Sequence, residues 1–562
     1  MVIFILHTHL PYVLHHGAWP HGSDWLCEAT AECYVPLLDV CERLVADGIR
    51  PGITFDISPV LCEQLAHPDF ADVFVQYCEA HAVLAEGDGE QLQTDGAEQE
   101  QINLCTYWAN WYRARSERFT EAYQGNIVGA LKSLQDRGAI EIMTCGATHG
   151  YFPLLAEDRS IRMQVRLAKA NYTKHFGCEP RGIWLPECGY RPAYPWRTLL
   201  PVAAYSVARW RAGVEHVLHD EHLEFFVADE PALQKATPVG MLSVSGRIPY
   251  DATYGAVRER LDERSVYDLF RVTSRSHAES AVCFTRNLPV SMQVWSGDSG
   301  YPGDPDYLDF HKKYYRSGMR YWRVTDVKAD MQYKQFYNPE WAANKARVHA
   351  KHFVKSIAVA LLHRESHAEG PATMCLPFDT ELFGHWWYEG PVFLEEVIRG
   401  IHATGIIATS TASEQLDRVQ PAMEIALPES SWGENAHHDV WMNAATEWTW
   451  EREYGLENRM SMLFAKHPPH LLGATEERIV KAAMRELLLA QASDWQFLIS
   501  TFSAKDYATM RFHSHAADCI KLCDMLERYT VKGALSAEDE PALTEIEARD
   551  GIFSELQLDW WS

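Results

Sequence analysis

No stretch of this 562-residue chain stays apolar for anything close to the roughly 20 residues a membrane-crossing helix needs, so no membrane span is expected. The opening Val2–Leu6 run is too short for a signal-peptide core and has no basic leader, so it reads as a first strand. Positive charge is scarce: 51 Lys and Arg face 77 Asp and Glu, a formal net charge of -26. Such an excess repels phosphate backbones and anionic membranes, which argues against nucleic-acid binding as the main function and favours a neutral partner. Paired CxxC spacing is missing as well. The thirteen cysteines are an odd number, and Cys105, Cys283 and Cys375 lie inside apolar runs as small buried hydrophobes, so reduced thiols and a cytoplasmic location are expected. There are no repeats and no low-complexity tracts.

Aromatic residues, by contrast, are plentiful. Nineteen Trp and twenty-five Tyr include clusters with Gly, His and Asn, as in Gly384-His385-Trp386-Trp387-Tyr388 and Ser431-Trp432-Gly433-Glu434-Asn435. Many of these rings are accounted for by core packing, but rings set among polar groups also stack on the apolar faces of sugars.

Short β-type runs recur at Val2–Leu6, Gly52–Ile57, Ala139–Thr144, Gly182–Leu185, Ser291–Trp295, Thr373–Leu376 and Ile406–Ser410, with helical segments between them. This alternation predicts a parallel sheet closed into an irregular (β/α)7-type barrel over residues 1–411. Leu104, Tyr107, Trp108, Trp111 and Tyr112 follow helical spacing, so residues 60–138 read as a helical insertion. Beyond the barrel, residues 412–562 read as a helical domain that contributes to the cleft. One helix is capped by Thr475 and carries Ile479, Val480, Ala483, Met484, Leu487 and Leu488; another carries Ala516, Cys519, Ile520, Cys523 and Leu526. Residues 212–290 show no clear period: the charged run 258–264 reads as a solvated helix face, and a long loop at this position would overhang the pocket.

Two acids stand out. Glu187 and Asp379 each follow a short apolar run and a proline, in Ile183-Trp184-Leu185-Pro186-Glu187 and Met374-Cys375-Leu376-Pro377-Phe378-Asp379. Barrel enzymes place catalytic groups at strand C-termini, so two such acids, remote in sequence, can face one another across one pocket. Glycosidic chemistry suits that geometry. Retaining transfer needs one ionised and one protonated carboxyl about 5–5.5 Å apart.

Five motifs extend this reading: His9-Leu10-Pro11-Tyr12, Gly146-Ala147-Thr148-His149-Gly150-Tyr151, Trp184-Leu185-Pro186-Glu187-Cys188-Gly189-Tyr190, Pro377-Phe378-Asp379-Thr380-Glu381-Leu382-Phe383-Gly384-His385-Trp386-Trp387, and Ser430-Ser431-Trp432-Gly433-Glu434-Asn435 continuing to Trp441-Met442-Asn443. In order and content they resemble the five signature regions of glycoside hydrolase family 57, and within it the α-1,4-glucan branching enzymes. The resemblance implies a retaining mechanism on an incomplete (β/α)7 barrel, with Glu187 as nucleophile and Asp379 as general acid/base. It also implies an α-1,4-glucan as donor and acceptor, and neither metal nor cofactor. Sugar-hydroxyl contacts fall on His9 and His149. Trp25, Trp295, Trp432 and Trp441 match positions that line the glucan cleft. His7 shares a strand face with His9 and is either a substrate contact or structural. A tyrosine on a loop over the cleft maps to Tyr254 or Tyr250. Glu381, Glu157 and Asp158 read as supporting or surface charges.

Other readings differ in their tests. His7-Thr8-His9 also resembles an amidohydrolase metal site, which needs further ligands from later strands. A non-catalytic glycan-binding cleft would not require both acids. Within the glycoside class, α-amylase and 4-α-glucanotransferase are the competitors.

Overall fold

The computed structural model describes residues 1–243, 246–253, 255–274, 279–367 and 370–561. Seven strands form a parallel barrel wall: β1 (Val2–Thr8), β2 (Ile53–Ile57), β3 (Glu141–Cys145), β4 (Gly182–Trp184), β5 (Phe225–Ala228), β6 (Ala281–Thr285) and β7 (Met374–Asp379). Their order is β7-β1-β2-β3-β4-β5-β6. Closure is slight. A single parallel bridge joins Arg286, just past β6, to Cys375 of β7, and the Asn287 N–H donates to the Cys375 carbonyl at 2.9 Å.

Strands covered on both faces should be apolar throughout, and all seven residues of β1 are buried. Gly182 shows how tightly the wall is built. It pairs with Phe225, and a Cβ there would lie 2.1 Å from that ring, so only glycine lets β4 and β5 pair.

Past β6 the sheet runs on into Phe270–Val272, Met423–Ala426, Thr237–Ser243 and Gly246–Pro249. Residues just beyond the expected 411/412 boundary therefore still add a strand to the sheet.

Two of the β-type assignments change. Ser291–Trp295 lies in the helix Leu288–Trp295, whose start is capped by the Asn287 side chain accepting from the Val290 N–H at 3.3 Å. The Asn-Leu-Pro start outweighs the apolar, β-like composition that follows it. Ile406–Ser410 forms no strand and contributes only a bridge from Thr409 to Val2. Within the segment read as an overhanging loop, β5 and β6 supply two barrel strands.

Helices Pro68–Thr94 (α1) and Gln99–Glu117 (α2) fill the excursion between β2 and β3, and α2 buries Leu104, Cys105, Trp108, Trp111 and Tyr112 along one stripe. The C-terminal region holds Glu447–Lys466 (α3), Ala474–Ala490 (α4), Asp494–Ser500 (α5) and Lys505–Lys532 (α6). The α4 stripe Ile479, Val480, Ala483, Met484, Leu487 and Leu488 is buried in the core shared with the barrel. The helix starts one residue before Thr475, with Gly473 as N-cap and the Glu476 carboxylate accepting from the Gly473 N–H at 2.9 Å. On α6, Ile520 is exposed, unlike its neighbours Ala516, Cys519, Cys523 and Leu526. No described helix is long and apolar enough to cross a membrane. All thirteen cysteines are free, and twelve are buried.

Candidate active site

Strand register sets the first row of polar groups. His7 of β1 is the partner of Asp379 on β7 and of Asp56 on β2, so three polar residues stand side by side at the C-terminal rim. Residues in register on parallel strands face the same way.

Glu187 reaches this rim through a tight turn after β4. Its φ is +60°, and that of Cys188 is +48°, two successive non-glycine residues in the left-handed region. Such conformations cost on the order of 1–3 kcal/mol each and persist only when the surroundings enforce them. Here the Trp432 N–H donates to the Glu187 carbonyl at 3.0 Å, and the Cys188 N–H to that of Leu185 at 2.8 Å. Gly189 is needed for close approach: a Cβ would stand 2.8 Å from the Pro186 carbonyl oxygen and 2.9 Å from Pro153 Cδ.

The Glu187 carboxylate accepts from Trp432 Nε1 at 2.8 Å and from Ser493 Oγ at 2.9 Å. Burial pushes its pKa up to about 6, while the two donors hold it back from rising further. Asp379 is placed differently. Burial first, then the charges of Glu381 and Glu187, push its carboxyl well above the ordinary range, with Arg286 pulling weakly the other way. Two carboxyls in unlike environments take unlike protonation states, the arrangement that acid/base division of labour requires.

Both acids line one cavity of about 530 Å³. Its wall also includes His7, His9, His149, Trp25, Trp295 and Trp432. His9 bonds to Ser58 Oγ at 2.8 Å and to Asp494 at 2.9 Å, and stacks on His149 with centroids 3.9 Å apart. His7 is buried behind them, hydrogen-bonded to Asp56 and, at 3.1 Å, to His149.

Trp441 is elsewhere. It is 1% exposed, stacks on Tyr151 at 4.5 Å, and is absent from the cavity wall. Its ring closes on Gly433, where a Cβ would lie 2.7 Å away, so it supports the loop that carries Trp432. Tyr254 lies outside the described residues, and the Tyr250 hydroxyl donates to Asp262 at 2.6 Å. Glu157 accepts from Tyr205 at 2.9 Å and Asp158 from Arg211 at 2.6 Å, which ties both down as partners of neighbouring side chains. Glu381 does reach the cavity. It accepts from the Tyr34 hydroxyl at 2.6 Å, and burial raises its pKa to about 7.

A model of glycosyl hydrolase family 57 matches residues 3–428. The chain belongs to this family. A further model, described as the C-terminal part of 1,4-alpha-glucan branching enzymes, matches residues 454–561. The sequence is 38% identical over 556 residues to the 1,4-alpha-glucan branching enzyme TK1436 of Thermococcus kodakarensis, covering 98% of this chain and 77% of that protein. The solved GH57-type branching enzyme of Pyrococcus horikoshii superposes with a TM-score of 0.88 at 36% identity, covering 100% of this chain and 96% of the other. The α-amylase AmyC of Thermotoga maritima gives 0.79 at 26%, covering 100% and 98%. Family 57 membership removes the amidohydrolase reading.

Several residues at the site of this family 57 chain escape a reading of motifs. Asp494, in the wall and on His9, and the buried Ser493 behind it, on Glu187, come from the start of a C-terminal helix. In sequence a Ser-Asp pair before an apolar run signals only a helix start, which it also is here. Arg286, Met292 and Phe497 join the wall from segments outside the five motifs, and Trp386 joins it from within the fourth. The turn that carries Ser493 is pinned to the second motif: the Ser493 N–H donates to the His149 carbonyl at 3.0 Å, and Gly150 bridges Ala492.

Proposed function

We propose that this chain is a retaining 1,4-alpha-glucan branching enzyme in which Glu187 is the nucleophile and Asp379 the general acid/base. The observation that carries the proposal is the meeting of these two acids on one aromatic-walled cavity, the first bonded by two donors and the second pushed toward its protonated form by burial and neighbouring negative charge. Glu187, as the carboxylate, attacks the anomeric carbon of an α-1,4-linked glucose while Asp379 gives its proton to the departing oxygen. A glucan chain leaves, and a glycosyl ester remains on Glu187. Asp379, now ionised, takes the proton of a 6-hydroxyl on an acceptor chain as that oxygen displaces Glu187, and an α-1,6 branch results. Asp494 suits a hydroxyl contact, His9 and His149 line the cavity with both ring nitrogens already bonded to protein partners, and Trp25, Trp295 and Trp432 suit stacking on sugar faces. Trp441 acts by holding Trp432 in place. The free cysteines fit a reducing cytoplasm.

The likeness to AmyC supports hydrolysis as a second reading, since water on the same ester would yield it. Amylose incubated with the enzyme, then debranched, separates the two. New α-1,6 linkages with few reducing ends are expected; reducing ends alone would make the protein an amylase.

Activity should also fall on the acid side in a set way. Glu187 is raised to about 6, so it is ionised above that value and protonated below it. Since only the carboxylate attacks, kcat/KM is expected to drop about tenfold per pH unit below about pH 6. A profile flat down to pH 4.5 would remove Glu187 from the nucleophile's role.

A further inference from the structure

Glu187 stands at one end of an unbroken buried chain of hydrogen bonds: Asp56, His7, His149, Ser493, Glu187. The contacts are Asp56 Oδ2 with His7 Nδ1, His7 Nε2 with His149 Nε2 at 3.1 Å, His149 Nδ1 with Ser493 Oγ at 2.8 Å, and Ser493 Oγ with Glu187 Oε1 at 2.9 Å. All four residues behind Glu187 are buried, Asp56 and Ser493 completely. None of the motifs draws attention to Asp56 or Ser493.

Counting hydrogens gives the chain a direction. If Glu187 is the carboxylate, Ser493 donates to it, so the serine oxygen must accept from His149 Nδ1–H. A neutral His149 then has a bare Nε2, which accepts from His7 Nε2–H. A neutral His7 has a bare Nδ1, and its neighbour Asp56 must supply the hydrogen. Reversing every bond would place that hydrogen on Glu187 and leave Asp56 ionised. With neutral imidazoles, the two end carboxyls therefore share a single proton.

We propose that Asp56 is a positioning residue that holds this proton, so that the buried Glu187 can remain an anion ready to attack. The proposal rests on the reading of Glu187 as nucleophile and extends it four residues into the barrel. The surroundings favour the neutral pair over an Asp56 carboxylate beside a His7 imidazolium. Among the described residues Asp56 Oδ1 has no hydrogen-bond partner, a heavy cost for a full carboxylate and a lesser one for a neutral acid. Burial raises the Asp56 carboxyl well above its ordinary range and lowers both imidazoles. Among the described residues, the other groups facing the chain supply no fixed positive charge next to Asp56. Glu381 pushes Asp56 further up, the Cys62 and Cys145 thiols are held neutral by burial, and the Trp184 ring stacks on His7 at 4.8 Å. His9 stacks on His149, and near Glu187 the neighbouring acids are Asp494 and Asp379.

Asparagine at position 56 can donate a permanent N–H to His7 and keep the direction of the chain; alanine cannot. Asp56→Asn is expected to retain about a third of the kcat or more, and Asp56→Ala to fall at least tenfold below it. In the unsubstituted enzyme, ¹⁵N NMR of labelled histidines near pH 7, with His7 assigned by its loss in His7→Gln, should show His7 neutral and bare at Nδ1. A His7 protonated on both nitrogens, or an Asp56→Asn as inactive as Asp56→Ala, would overturn the proposal. The NMR measurement needs no substitution at Asp56, so it decides even if Asp56→Ala fails to fold. A trapped glycosyl ester still found on Glu187 would show that the chain, and not the nucleophile, had been misread.

Discussion

Glu187→Gln is expected to lower transfer on amylose by on the order of 10⁴-fold or more, with the fold retained. The amide is close to the carboxylate in size, so the left-handed turn at Glu187 and Cys188 and the backbone bond from Trp432 survive. What is lost is the electron pair that attacks the anomeric carbon. One local mismatch accompanies it. Trp432 Nε1 and Ser493 Oγ both donate to this side chain, and an amide offers only one acceptor oxygen to two donors. The loss should therefore appear in kcat, with an intact thermal transition showing that folding is not its cause. Residual activity above a few per cent of the unsubstituted enzyme would remove Glu187 from the chemistry.

Asp379→Asn should cost about 10²- to 10⁴-fold on amylose, and the size of the loss should depend on the leaving group. A sugar alkoxide needs a proton as it departs; fluoride or an acidic phenolate does not. On an α-glycosyl fluoride or an activated aryl glycoside, the first step of Asp379→Asn should therefore recover most of its rate. The second step still lacks its base, so the glycosyl ester should accumulate and a burst of phenolate should precede slow turnover. Glu187→Gln should gain nothing from the same substrates, because its defect lies in the attack. Equal rescue of the two variants, or of neither, would contradict the division of roles drawn from their environments.

How much of this was legible in the sequence depended on how local each signal is. Glu187 and Asp379 could be read because a short apolar run, a proline and an acid lie within six consecutive residues, which is the local grammar of a barrel rim. The α4 stripe was equally clear from its period. β5 and β6 escaped because Phe225–Ala228 and Ala281–Thr285 are brief runs that gain strand character from the strands paired on both sides of each, Phe270–Val272 lying antiparallel to β6. Ser291–Trp295 misled because its composition is β-like, and the cap that makes it helical lies upstream at Asn287. Trp441 shares a motif with Trp432, yet the eight residues between them turn one ring into the cavity and the other beneath it. Ser493 and Asp494 were unreadable for a different reason: their roles exist only once the C-terminal helices dock on the second motif, more than 300 residues away in the chain.

The most direct test is to trap the glycosyl ester with a fluorinated maltooligosyl fluoride that forms it quickly and releases it slowly, then to map the labelled peptide by mass spectrometry. The account expects a single sugar-bearing peptide containing Glu187, with the ester on that side chain, and no label in Glu187→Gln. An ester on Glu381, Asp379 or Asp494, or turnover through inversion with no covalent adduct, would contradict it.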